Sequence, residues 1–171
     1  FRPNLVLTHR PCDYHPDHRA VGQLVQDASY LVTVPNILPE VPPLFNDPVI
    51  LYMPDLFTRP APLRPDLVLD VGEQVDSIVA MLACHRTQVF EWLPYEGGIL
   101  DQVPEDENAK LEWLLGWFHG EVAERANRFR DALVANYGEE RGGAVTFCEA
   151  YEVSEYASPM DEEGRAKLWP F

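Results

Sequence analysis

A chain of 171 residues with 46% apolar side chains is long enough for one domain with a real core. Its 28 acids against 13 bases give a formal net charge of -15, which repels phosphate backbones and anionic bilayers and disfavours nucleic acid or a membrane as partner. Cys12, Cys84 and Cys148 are odd in number and scattered, so no disulfide framework follows and a cytoplasmic protein is the default expectation.

Residues 3–9 are a short, continuous apolar run, which predicts a strand buried on both faces. Residues 10–15 are a polar loop broken by Pro11. A helix follows from about Asp17, with Val21, Leu24, Val25, Ala28, Leu31 and Val32 as a core-facing stripe and Pro35 as its stop. Residues 33–48 form a Pro-rich connection of a length usually reserved for function or motion. Residues 49–53 predict a second buried strand. After another Pro-rich stretch, 54–65, residues 67–71 predict a third.

Residues 73 to about 85 predict a helix with Val75, Ile78, Val79, Leu82 and Ala83 inward. Residues 94–106 read as an acidic, Gly-containing loop. A long helical stretch from 107 to 137 carries an aromatic stripe, Trp113, Trp117 and Phe118, expected in the core, and is weakened by Gly116 and Gly120. Gly142 and Gly143 open a last strand over 144–153, and a polar tail with Pro159 ends the chain. Strands alternating with helices predict one α/β domain over 1–171, three-layered, with a mainly parallel sheet flanked by helices. The strands are few for such a sheet, and the chain enters a strand from Phe1 without an initiator Met, so it reads as the back part of a longer protein, truncated at its amino terminus.

The chemistry concentrates in His15-Pro16-Asp17-His18, at the junction of the first strand and first helix, where α/β enzymes place their sites. Pro16 suits a helix start. His15 and His18 are three apart and can face one spot, and neutral imidazole is a good zinc ligand. Asp17 can be a ligand, a hydrogen-bond acceptor for an imidazole, or a helix-start charge. A structural zinc wrapped by His9, Cys12, His15 and His18 is disfavoured by Pro11 and by the strand end at His9.

In context, residues 7–22 resemble the second signature of the PIG-L/LmbE-like zinc-dependent N-acetylglucosaminyl deacetylases. Asp70-Val71 with the helix ending Ala83-Cys84-His85-Arg86-Thr87-Gln88, and the strand with Cys148-Glu149-Ala150-Tyr151-Glu152, are also similar to that family. The resemblance implies a Rossmann-like, LmbE-like fold and one Zn2+ per complete site. It implies His18 as a metal ligand, His15 beside the substrate carbonyl as an oxyanion or leaving-group partner, and Asp17 hydrogen-bonded to an imidazole. Tyr14, Arg10 and His85 become candidate substrate contacts, against an equal or stronger structural reading for each, and Glu149 either orients a ligand or faces solvent.

The family's first metal-binding loop has no counterpart here. The implied activity, hydrolysis of the acetamide of an N-acetylated amino sugar or related small amide, therefore belongs to a longer protein. The isolated chain is expected to hold zinc weakly and to be inactive. A non-catalytic α/β binding domain that has lost its metal centre is the competing reading, and an amidase for a small non-sugar amide, rimmed by the Pro-rich loops, a further one. A homo-oligomer is left open.

Overall fold

The computed structural model describes residues 1–169, without the side chain of Glu121. The elements are β1 (Leu5–Thr8), α1 (Pro16–Ala28), β2 (Val49–Tyr52), β3 (Leu67–Asp70), α2 (Val75–Ala83), α3 (Leu93–Glu96), α4 (Glu107–Arg128), α5 (Arg130–Tyr137), α6 (Glu139–Ala144), β4 (Cys148–Val153) and α7 (Glu162–Leu168). This is an α/β fold on a four-stranded sheet ordered β1-β2-β4-β3. The sheet is mixed. β2 runs parallel to β1, with Leu5 opposite Val49 and Thr8 opposite Tyr52, and antiparallel to β4, with Leu51 opposite Val153.

The chain divides into two compact units, residues 1–68 with 150–171, and residues 69–149. In the first, β2 is buried along its whole length because it is paired on both sides. Its core gathers Val49, Leu51 and Leu67, with Leu5, Tyr151, Val153, Met160, Leu168 and Trp169 packed around them. The tail expected to be polar and irregular folds into α7, whose start is capped by the Asp161 carboxylate accepting from the Gly164 N–H.

Two expectations fail here for one reason. β1 is an edge strand, so Leu7 is exposed rather than buried. The apolar stripe predicted for the first helix is also open: α1 ends at Ala28, before Pro35, a 3-10 turn over Leu31–Thr33 follows, and Val21, Leu24, Leu31 and Val32 are all exposed. Among the described residues no element closes over this face. Val6, Val25, Ala28, Leu31, Val32 and Ile50 instead help line an open apolar cavity of about 680 Å³.

The second unit packs α2 against α4. Val75, Val79, Val89, Phe90, Leu114 and Phe118 form its centre, with Trp113 and Trp117 packed against them, so the aromatic stripe is core as expected. α4 runs unbroken through Gly116 and Gly120, and the predicted single helix instead breaks at buried Phe129. Within the stretch 94–106, expected as loop, α3 (Leu93–Glu96) and residues 100–102 are short helical turns.

Gly142 and Gly143 belong to α6 and not to a strand. A Cβ on Gly142 would lie 2.5 Å from the Leu133 carbonyl oxygen and 2.6 Å from the Val134 Cα, so only glycine lets α6 fold back this closely on α5. The reversal between the two helices is made by Gly138, at φ +82°.

Candidate metal centre

The site forms where β1 hands over to α1, within the first unit. β1 ends at Thr8, and the loop from His9 to His15 turns the chain into the helix. His15 is the N-cap: its backbone is extended and its Nδ1 accepts the N–H of Asp17 at 3.2 Å. Pro16 stands at the first helical position, as the sequence predicts. His18 then lies in the first turn. One turn further on the same face, Gly22 lets α1 approach the strand end, since a Cβ there would meet the His9 carbonyl oxygen at 2.6 Å.

That approach brings His18 over His9. The two imidazoles stack with centroids 3.8 Å apart and planes within 2°. Asp13 sits beneath them, 3% exposed. Its Oδ1 lies 2.9 Å from His18 Nδ1 and also accepts the His15 N–H at 2.8 Å. Its Oδ2 is 3.9 Å from His9 Nδ1. The Asp13 carbonyl accepts from Arg19 Nη1 at 2.8 Å, which ties the loop to the helix. One ligand atom each from His9, Asp13 and His18 lies within 4.8 Å of the others, a donor set able to hold a metal ion.

The electrostatics suit neutral ligands. Burial pushes the His9 imidazole below its ordinary value, with repulsion from His18 adding to the effect and Asp13 opposing it. A carboxylate on His18 Nδ1 holds the proton on that nitrogen and leaves the Nε2 lone pair for a ligand. The reverse holds at His15. Its Nδ1 accepts a backbone N–H, so in the neutral ring the proton is on Nε2, and the exposed ring presents an N–H donor.

Of the residues singled out from sequence, Tyr14, His15 and His18 come together. Exposed Tyr14 stands edge-on to both rings, 5.3 Å from His18 and 6.0 Å from His15. Asp17 is exposed, and the carboxylate that meets an imidazole is Asp13 instead. Arg10 is 4% exposed and bonds to Asp55, Phe57 and Ala61, so its guanidinium is occupied by the protein itself. His85 lies in the second unit with an exposed ring, just past α2, where its carbonyl accepts the N–H groups of Gln88 and Val89. Glu149, in the same unit, pairs with Arg125 at 2.6 Å.

Asp13 was missed from the sequence, and His9 was weighed only as a ligand of a structural zinc with Cys12, His15 and His18 and set aside. The signal available was a carboxylate in the loop five residues before His18. Sequence reasoning counted one ligand, whereas the folded loop assembles two imidazoles and a carboxylate.

No family model matches the chain. Among solved structures it is similar to the crystal structure of GalB, the 4-carboxy-2-hydroxymuconate hydratase from Pseudomonas putida KT2440, with a TM-score of 0.58 and 17% sequence identity. The match covers 93% of this chain and 55% of that one, so this chain spans about half the length of its structural neighbour. The likeness shows the fold alone, an α/β arrangement.

Proposed function

We propose that this chain carries a metal-binding part of a hydrolase centre, and that the whole enzyme removes the acetyl group from an N-acetylated amino sugar or a related small amide. The observation that carries the reading is the convergence of His9, Asp13 and His18 beside an outward-facing N–H of His15. Two imidazoles and a carboxylate fit zinc, which when bound supplies a Lewis acid for a carbonyl and a nucleophilic water at neutral pH.

The chain's own residues have separable tasks. His9 and His18 offer nitrogen lone pairs. Asp13 fixes the His18 tautomer through Oδ1 and leaves Oδ2 toward His9. His15 presents Nε2–H to the oxygen that gains charge as a carbonyl turns tetrahedral, and as an imidazolium it can hand a proton to the departing nitrogen. Tyr14 walls the rings on one side.

A second reading, addition of water to a carbon–carbon double bond, is favoured by the structural neighbour, whose name is that of a hydratase. Both reactions use a polarised oxygen and an activated water. The zinc-loaded chain should be assayed with N-acetylglucosamine and simple acetamides for release of a primary amine, and with unsaturated hydroxy-diacids for loss of the conjugated chromophore. Amine release abolished by His15→Ala supports the deacetylase. Chromophore loss without amine release favours the hydratase. The absence of both, in the zinc-loaded protein and in any longer form of it, contradicts both.

A further inference from the structure

The loop over residues 54–61 follows β2 just as His9 follows β1. The two strands are parallel and in register, so both leave the sheet at its same end, and the Met53 N–H continues the pairing onto the Thr8 carbonyl at 2.8 Å. Arg10, the neighbour of His9, spans the two exits. Its Nη1 donates to Asp55 Oδ2 at 3.0 Å and to the Phe57 carbonyl at 3.2 Å, and its Nη2 donates to the Ala61 carbonyl at 2.6 Å. Its Nε lies 3.9 Å from Glu152 Oε2. Asp55 closes the turn from inside, Oδ1 accepting the Phe57 N–H at 2.6 Å. A buried guanidinium spreads its donors over this loop in a fixed plane, which a lysine cannot do.

What the pinned turn presents outward is apolar. Leu56 is 83% exposed and Phe57 is 46% exposed, flanked by buried Asp55. Large apolar side chains on a turn fixed by four polar contacts are held out at a cost in hydration, in a chain whose net charge is -15.

We propose that Arg10 is a positioning residue that holds Leu56 and Phe57 as an apolar wall of the substrate site, and that the substrate carries an apolar or aromatic group beside its reacting carbonyl. The location of the reacting carbonyl rests on the proposed function; the wall and its preference do not. Arg10 itself stays out of contact with substrate and acts through the loop.

The test is a nuclear magnetic resonance titration of the full chain, labelled at leucine methyls and histidine rings, with N-benzylacetamide and with N-acetylglucosamine as probes. Each is run without metal and with one equivalent of zinc. N-Benzylacetamide is expected to shift the Leu56 methyls saturably and to bind about five-fold or more tighter than the sugar. Leu56→Ala with Phe57→Ala removes that preference while leaving zinc affinity unchanged. Arg10→Lys, which keeps the charge beside Asp55 and so guards the fold, lowers the preference and quickens amide exchange over 55–61 only. Equal binding of the two probes, or a preference that survives the double substitution, overturns the proposal. A preference intact in a chain that takes up no zinc upholds the wall and removes the catalytic reading.

Discussion

His9 and His18 lie face to face, ring on ring at 3.8 Å, although they are nine positions apart in sequence, one just past the end of β1 and the other in the first turn of α1. Two imidazoles this close cannot both hold a proton without repulsion, and the burial that lowers His9 favours its neutral form. The stack is therefore a pair of prepared nitrogen donors, and Asp13 under it is the group that orders them.

Asp13→Asn should separate charge from shape. The amide oxygen, in the place of Oδ1, can still accept from both the His15 N–H and His18 Nδ1, so α1 should start as before, but the negative charge is lost and an NH2 group replaces the Oδ2 acceptor that faces His9. Zinc affinity is expected to fall by about 10- to 100-fold, with the helical circular dichroism signal unchanged. Equal affinity in wild type and variant would show that the carboxylate neither binds nor orients.

Gly22 and Gly116 predict opposite signs for the same substitution. Gly22→Ala drives a methyl into the His9 carbonyl at 2.6 Å. It should cost about 1–3 kcal/mol in urea unfolding and weaken zinc binding by moving His18. Gly116 lies mid-helix with nothing within 4 Å of its virtual Cβ, so Gly116→Ala should stabilise by about 0.8–1 kcal/mol. A harmless Gly22→Ala would mean that α1 does not owe its position to that contact.

His15 combines a cap with a proposed chemical role, and asparagine divides the two. Asn is among the best N-caps, so His15→Asn should hold stability within about 0.5 kcal/mol, while His15→Ala should lose about 1 kcal/mol. Both should abolish turnover alike in the form of the protein that turns substrate over. Activity retained in His15→Asn would take the imidazole out of the reaction.

The Arg125–Glu149 pair gives a pH signature in the second unit. Burial raises the Glu149 carboxyl above its ordinary value, and Arg125 pulls it back down. The folded state therefore holds this proton more tightly than the unfolded chain, and stability from this group rises as pH falls through the raised value. Glu149→Gln has no such proton. Its stability relative to wild type should improve as pH is raised from below the ordinary carboxylate value to neutrality, read by urea melts at the two ends. A constant difference would mean that the carboxyl is not raised.

The sequence made the entry to the site legible because that entry is local. An apolar run, a loop with Pro11, Pro16 at a helix start and a histidine in the first turn are short-range signals; β1, β2, β3 and α2 appear where they were expected, and α1 starts where it was expected but ends at Ala28, short of Pro35. His9 and Asp13 were not legible as partners of His18 because their meeting depends on a loop turning back under a helix, made possible by Gly22. The partners of Arg10 were not legible for a similar reason, since Asp55, Phe57 and Ala61 are 45 to 51 residues away in sequence. The helical α6 around Gly142 and Gly143 escaped because close helix packing and strand entry both call for glycine.

His9, Asp13 and His18 together are proposed to hold a metal. Calorimetric titration of zinc into the apo chain tests it most directly, with His9→Ala and His18→Ala alongside and His85→Ala as a control outside the cluster. One ion per chain is expected in wild type and in the control, with loss or severe weakening in both cluster variants. Zinc bound equally well without His9 or without His18 would contradict it.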